Sequence, residues 1–249
     1  MVSVSGLFES GHGQVLCYPR CPQEELENRL KELETLGVQA IEFTGDRTIF
    51  GVPVLGKGWV GIVVVAHLSN GKAALKIRRS DSGRESLFHE SEMLKTANQN
   101  GVGPKLVNVT QNFLLMELIQ GTKFPEWIQT LEDANAKPRL RHVIKQVLEQ
   151  CYKLDQAGLD HGEISKAPKH ILVTAQDTPV LIDFETSSIK RRVSNVTSVC
   201  QYLFLGSQIA PKVNSILGQV NENEFINVLR TYKQERSRTN FENVLEKIL

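Results

Sequence analysis

Hydrophobic positions change their spacing along this chain, and the changes sort it into strand-rich and helix-rich stretches. After Pro22 and the acidic pair Glu24-Glu25, Leu26, Leu30 and Leu33 recur at three- and four-residue steps. That spacing predicts a helix over 22–36, with Gly37 as its stop. Short apolar runs around it predict strands over 15–18, 39–43 and 48–54. A β-branched run over 62–66, the turn Ser69-Asn70-Gly71 and a second run over 73–77 predict a tight hairpin. A helix over 83–98 follows, with Leu87, Leu94 and Ala97 inward. Gly101-Val102-Gly103-Pro104 breaks it, and runs over 106–109 and 113–116 predict another hairpin.

From Glu117 through Lys137 the pattern is polar and irregular. Pro138 then starts a helix with Val143, Val147, Cys151 and Leu154 on one stripe, ending near Gly158. Short strands over 171–173 and 180–182 flank the turn Gln176-Asp177-Thr178. Asn221 with Glu224 forms a capping box, and Phe241, Leu245 and Ile248 line a last helix. The expected fold class is α+β, with an antiparallel-sheet small lobe and a mostly helical large lobe. Residues 1–50 are expected as an extension packed on the small lobe, 51–118 as that lobe and 119–249 as the large one.

Composition narrows the field modestly. The 249 residues carry 29 Lys and Arg against 28 Asp and Glu, so bulk charge points to neither nucleic acid nor membrane. No apolar stretch is long enough to span a bilayer, and no basic-then-apolar signal opens the chain, so a cytoplasmic setting is expected. The four cysteines are too few and scattered for a disulfide scaffold, and no second pair joins Cys17 and Cys21 to complete a zinc site. Oligomeric state is not legible.

The chemistry gathers at two places. Gly56-x-Gly58-x-x-Gly61 is followed by a β-branched run. A dinucleotide-binding βαβ unit needs a helix after those glycines. A glycine loop joining two antiparallel strands, with Lys76 on the next strand, instead suits the phosphates of ATP. Glu90 shares the inward helix face with Leu87 and Leu94, whereas Glu92 lies about 200° round the helix. An inward carboxylate needs a cation, and Lys76 is the candidate. Backbone at Glu117 and Ile119, leaving the strand, is placed to hydrogen-bond an adenine. The second place is 161–170 together with Ile182-Asp183-Phe184-Glu185. Asp183 at a strand end suits Mg²⁺, Lys166 or Lys169 offers positive charge, and Glu163 is the carboxylate nearest an acceptor hydroxyl.

Taken in order, these segments resemble the protein-kinase-like superfamily, specifically the small atypical kinases of the RIO and KEOPS-complex type and a compact group of archaeal and bacterial serine/threonine kinases. The resemblance covers about 54–205. It rests on the glycine loop, Ala74-Leu75-Lys76, and Glu90-Ser91-Glu92-Met93-Leu94 with the following Gly101-Val102-Gly103-Pro104. It continues through Leu159-Asp160-His161-Gly162-Glu163, Ile182-Asp183-Phe184-Glu185 and Asn195-Val196-Thr197-Ser198. It implies a two-lobed kinase-like fold using ATP with Mg²⁺ or Mn²⁺. Lys76 would hold the α/β-phosphates and pair with Glu90, Glu163 would be the catalytic-loop carboxylate, and Asp183 would ligate the metal.

Two positions depart from the family pattern. Glu163 replaces an aspartate, and the metal-binding asparagine, about five residues after that carboxylate, gives way to His170 in a longer loop. Imidazole ligates transition metals better than Mg²⁺. The implied activity is phosphoryl transfer to Ser/Thr hydroxyls of a protein. Alternatives are a small hydroxylated acceptor, as in aminoglycoside and choline kinases, or a pseudokinase scaffold that binds ATP without transfer.

Overall fold

Residues 1–164 and 168–249 are described by a computed structural model. Residues 1–95 with 104–118 form one compact unit, and 96–103 with 119–249 form the other.

The first unit is built on β1 (Val2–Ser3), α1 (Gln23–Thr35), β2 (Ala40–Glu42), β3 (Arg47–Ile49), β4 (Val52–Val54) and β5 (Gly56–Lys57). It continues with β6 (Gly61–Leu68), β7 (Gly71–Arg78), the start of α2 (Phe88–Gln99), β8 (Leu106–Val109) and β9 (Phe113–Glu117). A seven-stranded antiparallel sheet runs β1-β2-β6-β7-β9-β8, with β5 also paired to β6. The β6–β7 ladder sets Val63 opposite Lys76, and β7–β9 sets Lys76 opposite Leu114. Lys76 therefore stands on a central strand with paired neighbours on both sides.

The first fifty residues belong to this unit's core. Val4, Leu16, Leu26 and Leu33 are buried in one cluster with Ile62, Val64, Leu75, Ile77, Phe113 and Leu115. Arg29 of α1 is wholly buried; its Nη1 donates to the carbonyls of Leu16 and Arg78, and its Nε to Glu25 at 2.7 Å. Burial lowers the guanidinium pKa, and the Glu25 carboxylate works against that.

Three local expectations fail here. Of the segment 15–18, expected as a strand, residues 15–17 belong to a 3-10 helix, His12–Cys17, and Tyr18 follows it. Its carbonyls have other partners: Leu16 O takes Arg29, Cys17 O takes Ser80 Oγ at 2.9 Å, and Tyr18 O takes Ser80 N at 2.8 Å. Residues 48–54 are a hairpin, not one strand, because Phe50 (φ 51°) and Gly51 (φ 78°) both turn left-handed between β3 and β4. The helix expected from 83 begins at Phe88, since Leu87 N donates to Gln111 O at 3.1 Å. Cys17 and Cys21 form a disulfide, a pairing the sequence reading did not anticipate.

The second unit holds β10 (Gly121–Lys123), α3 (Phe124–Trp127), α4 (Ala136–Gln156), β11 (Ile171–Thr174) and β12 (Pro179–Leu181). It ends with α5 (Asn195–Cys200), continued by a π-helical turn Gln201–Leu205, then α6 (Ala210–Leu217), α7 (Glu222–Gln234) and α8 (Arg238–Ile248). The stripe expected on α4 is buried together with Leu140, Ile144, Leu148 and Asp155. Asn221 accepts from Glu224 N at 3.3 Å, as the capping box requires. The small sheet β10-β11-β12 is antiparallel. Among the described residues no helix is long and apolar enough to cross a membrane.

Candidate active site

In the first unit, the glycine loop is the turn between β5 and β6. Gly58 N donates to Gly61 O at 2.8 Å, closing it tightly. A Cβ on Gly61 would stand 3.0 Å from Lys76 Cγ and Cε and from Ile77 O, so the bare glycine is what lets Lys76 lie across the loop's base. Gly56 and Gly58 are less crowded, with nearest contacts of 3.8 and 3.5 Å. Gly61→Ala is expected to cost about 1–2 kcal/mol in urea unfolding, because backbone as well as the lysine must move.

Lys76 Nζ meets Glu90 Oε1 at 2.9 Å and Oε2 at 2.8 Å, with each side chain 6% exposed. The contact expected from the helical phase of Glu90 thus forms inside the unit. Glu92 faces solvent. Trp59 at the loop tip is 87% exposed and does not pack on its own unit.

The loop is braced by the N-terminal residues. Tyr18 OH accepts from Lys57 Nζ at 3.0 Å, and the Arg79 guanidinium lies 5.1 Å from the Tyr18 ring. Arg79 also donates to Gly58 O at 3.0 Å and pairs with Asp81 at 2.7 Å. Neither Tyr18 nor Arg79 sits in a recognisable motif, and no sequence signal links them. Glu117 ends β9 with its N–H bonded to Lys105 O at 2.8 Å and its carboxylate accepting from Lys105 N at 3.1 Å. Ile119 is half-buried at the start of the irregular segment.

In the second unit, one hairpin explains why residues thirteen apart converge. His170 precedes β11 and Asp183 follows β12; the ladder pairs Ile171 with Leu181, and Ile182 N donates to His170 O at 2.9 Å. His170 Nε2 consequently lies 3.3 Å from Asp183 Oδ2 and 3.7 Å from Glu163 Oε2. Asp183 itself adopts φ 70°, left-handed for a residue with a side chain. Lys166 falls outside the described residues.

His161 ties the Glu163 loop to the same hairpin end. Its ring Nε2 lies 3.1 Å from Ile182 O, which makes Nε2–H the donor, and its own carbonyl accepts from Thr186 Oγ1 and Ser187 Oγ at 3.2 Å each. Burial, with His170 beside it, lowers this imidazole to about 4, so the ring is neutral near pH 7.

Sequence reading missed the residue behind this loop. Asp155 is 4% exposed; its carboxylate accepts from Asn195 N (2.9 Å), Asn195 Nδ2 (2.8 Å), Val196 N (3.3 Å) and Tyr232 OH (2.9 Å). It thereby serves the first N–H groups of α5, where Ser194 makes no side-chain cap. Asn195 Oδ1 in turn accepts from His161 N at 2.9 Å. Burial raises the Asp155 carboxyl above its ordinary pKa, while the four donors hold it back. The signal was present: Asp155 continues the Val147–Cys151 stripe, one helical turn on. Asp155→Ala is expected to cost about 3–5 kcal/mol by thermal or urea unfolding, since it orphans several buried donors at once.

Both arginines of the exposed basic run 190–192 have partners within the chain. Arg191 pairs with Asp160 Oδ2 at 2.9 Å and donates to Thr186 O at 2.5 Å, and Arg192 donates to Lys233 O at 3.1 Å. Cys151 and Cys200 are buried thiols whose pKa values burial raises, which keeps them unreactive.

A metal fits the donor set in part. Among the described residues no three His, Cys, Asp or Glu side chains could cage an ion by themselves. His170 and Asp183 could supply two ligands, and neither ring nitrogen of the buried His170 has a hydrogen-bond partner among those residues. Such a partial set is usual where phosphate and water complete the shell.

Comparison with known proteins matches these features to a family. The chain is similar to the uncharacterised protein MJ1211 of Methanocaldococcus jannaschii, 31% identical over 112 residues that cover 45% of this chain and 91% of that protein. The RIO domain matches residues 67–194, more than half of the chain. The chain therefore belongs to the RIO domain family of atypical, protein-kinase-like enzymes.

Proposed function

We propose that this chain is an ATP-dependent phosphotransferase that moves the γ-phosphoryl group to a serine or threonine hydroxyl of a protein substrate. The observation that carries the reading is the buried Lys76–Glu90 pair lying against the closely packed Gly61. An ion pair is a costly way to fill a core position, and apolar residues of similar size would serve stability as well. Its presence beside a glycine loop suits a lysine held ready for phosphate oxygens. In the second unit, Asp183 and His170 would hold a divalent ion, which on binding would offset charge on the phosphates. Glu163, 36% exposed, is the carboxylate available to orient an acceptor hydroxyl.

A second reading, nucleotide binding without transfer, is favoured by one observation: the Glu163 carboxylate leans towards the buried His170 ring. The deciding experiment supplies γ-labelled ATP with Mg²⁺ or Mn²⁺ and follows label into protein, added small hydroxylated acceptors and free phosphate. Label on Ser or Thr of protein is expected. Label only in a small acceptor would move the reading to a metabolite kinase, and bound ATP without any transfer would favour the scaffold.

A further inference from the structure

His170 is a buried polar group of the second unit whose ring has no hydrogen-bond partner among the described residues. Its side chain is 2% exposed, and the ring is stacked obliquely beside His161 with centroids 5.6 Å apart. Nε2 points at two carboxylates, 3.3 Å from Asp183 Oδ2 and 3.7 Å from Glu163 Oε2, yet makes no hydrogen bond to either. A buried ring nitrogen left unpaired costs about 1–3 kcal/mol. Two atoms that each ligate one ion at about 2.1–2.2 Å stand roughly 3.0–3.5 Å apart, the range of the His170–Asp183 separation.

Mg²⁺ takes hard oxygen ligands and sheds water reluctantly, whereas imidazole binds the divalent transition ions, Mn²⁺ the least tightly of the series but more readily than Mg²⁺. We propose that His170 Nε2, acting with the Asp183 carboxylate, makes this site select a divalent transition ion of the Mn²⁺ class over Mg²⁺. The inference deepens the phosphotransfer reading and relies on it only for the remaining ligands, nucleotide phosphate and water. The metal preference itself belongs to the protein alone.

The test titrates the full chain with MnCl₂ alone, following free Mn²⁺ by electron paramagnetic resonance, and then competes it with MgCl₂. His170→Asn is expected to weaken Mn²⁺ binding about 10–100-fold and to leave Mg²⁺ binding unchanged or tighter, collapsing the discrimination. In wild type, substoichiometric Mn²⁺ should broaden the His170 ring signals in NMR spectra, a readout that needs no variant to fold. An unchanged Mn²⁺-to-Mg²⁺ ratio in folded His170→Asn, or sharp His170 signals with Mn²⁺ bound, overturns the proposal. His170-dependent Mn²⁺ binding without label transfer upholds it while defeating the phosphotransfer reading. Transfer with either metal and no His170 dependence does the reverse.

Discussion

Asp183→Ala is expected to lower phosphoryl transfer by about 1,000-fold or more, the loss corresponding to several kcal/mol of charge stabilisation at a metal. The informative companion is Asp183→Gly. Asp183 holds φ 70°, a conformation that glycine adopts freely and alanine resists. The glycine variant should therefore be as inactive as the alanine one, yet about 1 kcal/mol more stable than it. Equal inactivity in two variants of unequal stability would mean that activity is lost with the carboxylate and not through backbone strain. Transfer within tenfold of wild type in either variant would remove Asp183 from the site.

Lys76→Met should destabilise the chain by about 3–5 kcal/mol, because it removes a cation that the Glu90 carboxylate meets in a position 6% exposed. Lys76→Met combined with Glu90→Leu should recover most of that loss, since the pair is then replaced by apolar groups. A double-mutant cycle by urea unfolding gives the coupling directly. Additive losses would mean that the two side chains do not depend on each other. Loss of activity in Lys76→Met alone would therefore not separate a missing phosphate ligand from a loosened fold; the double variant would, being stable and still inactive.

The pair was legible in the sequence for a simple reason. A helix has a fixed phase, so Glu90 had to face inward with Leu87 and Leu94, and an inward acid needs a cation. The same reasoning applied to α4 would have found Asp155, on the apolar stripe after Cys151. The hairpin of β6 and β7 was legible because a β-branched run meets a Gly-containing turn. What was not legible was backbone satisfied by distant side chains. Residues 15–18 have a strand-like composition, but Ser80 and Arg29 occupy their carbonyls. Phe50 has no local signal for a left-handed turn beyond the glycine after it. The resemblance already grouped Glu163, His170 and Asp183; what lay beyond sequence was their spacing, which depends on the register of β11 against β12 and on the bond from His161 to Ile182 O.

The RIO domain match begins at residue 67, inside β6, whereas the hydrophobic cluster of the first unit draws on residues from Val4 onward. What is recognisable by kinship and what can fold by itself are thus different lengths of the same chain. A fragment started at the border of kinship would sever a central strand, discard the glycine loop and leave the inner faces of Leu75, Ile77 and Phe113 without their cover.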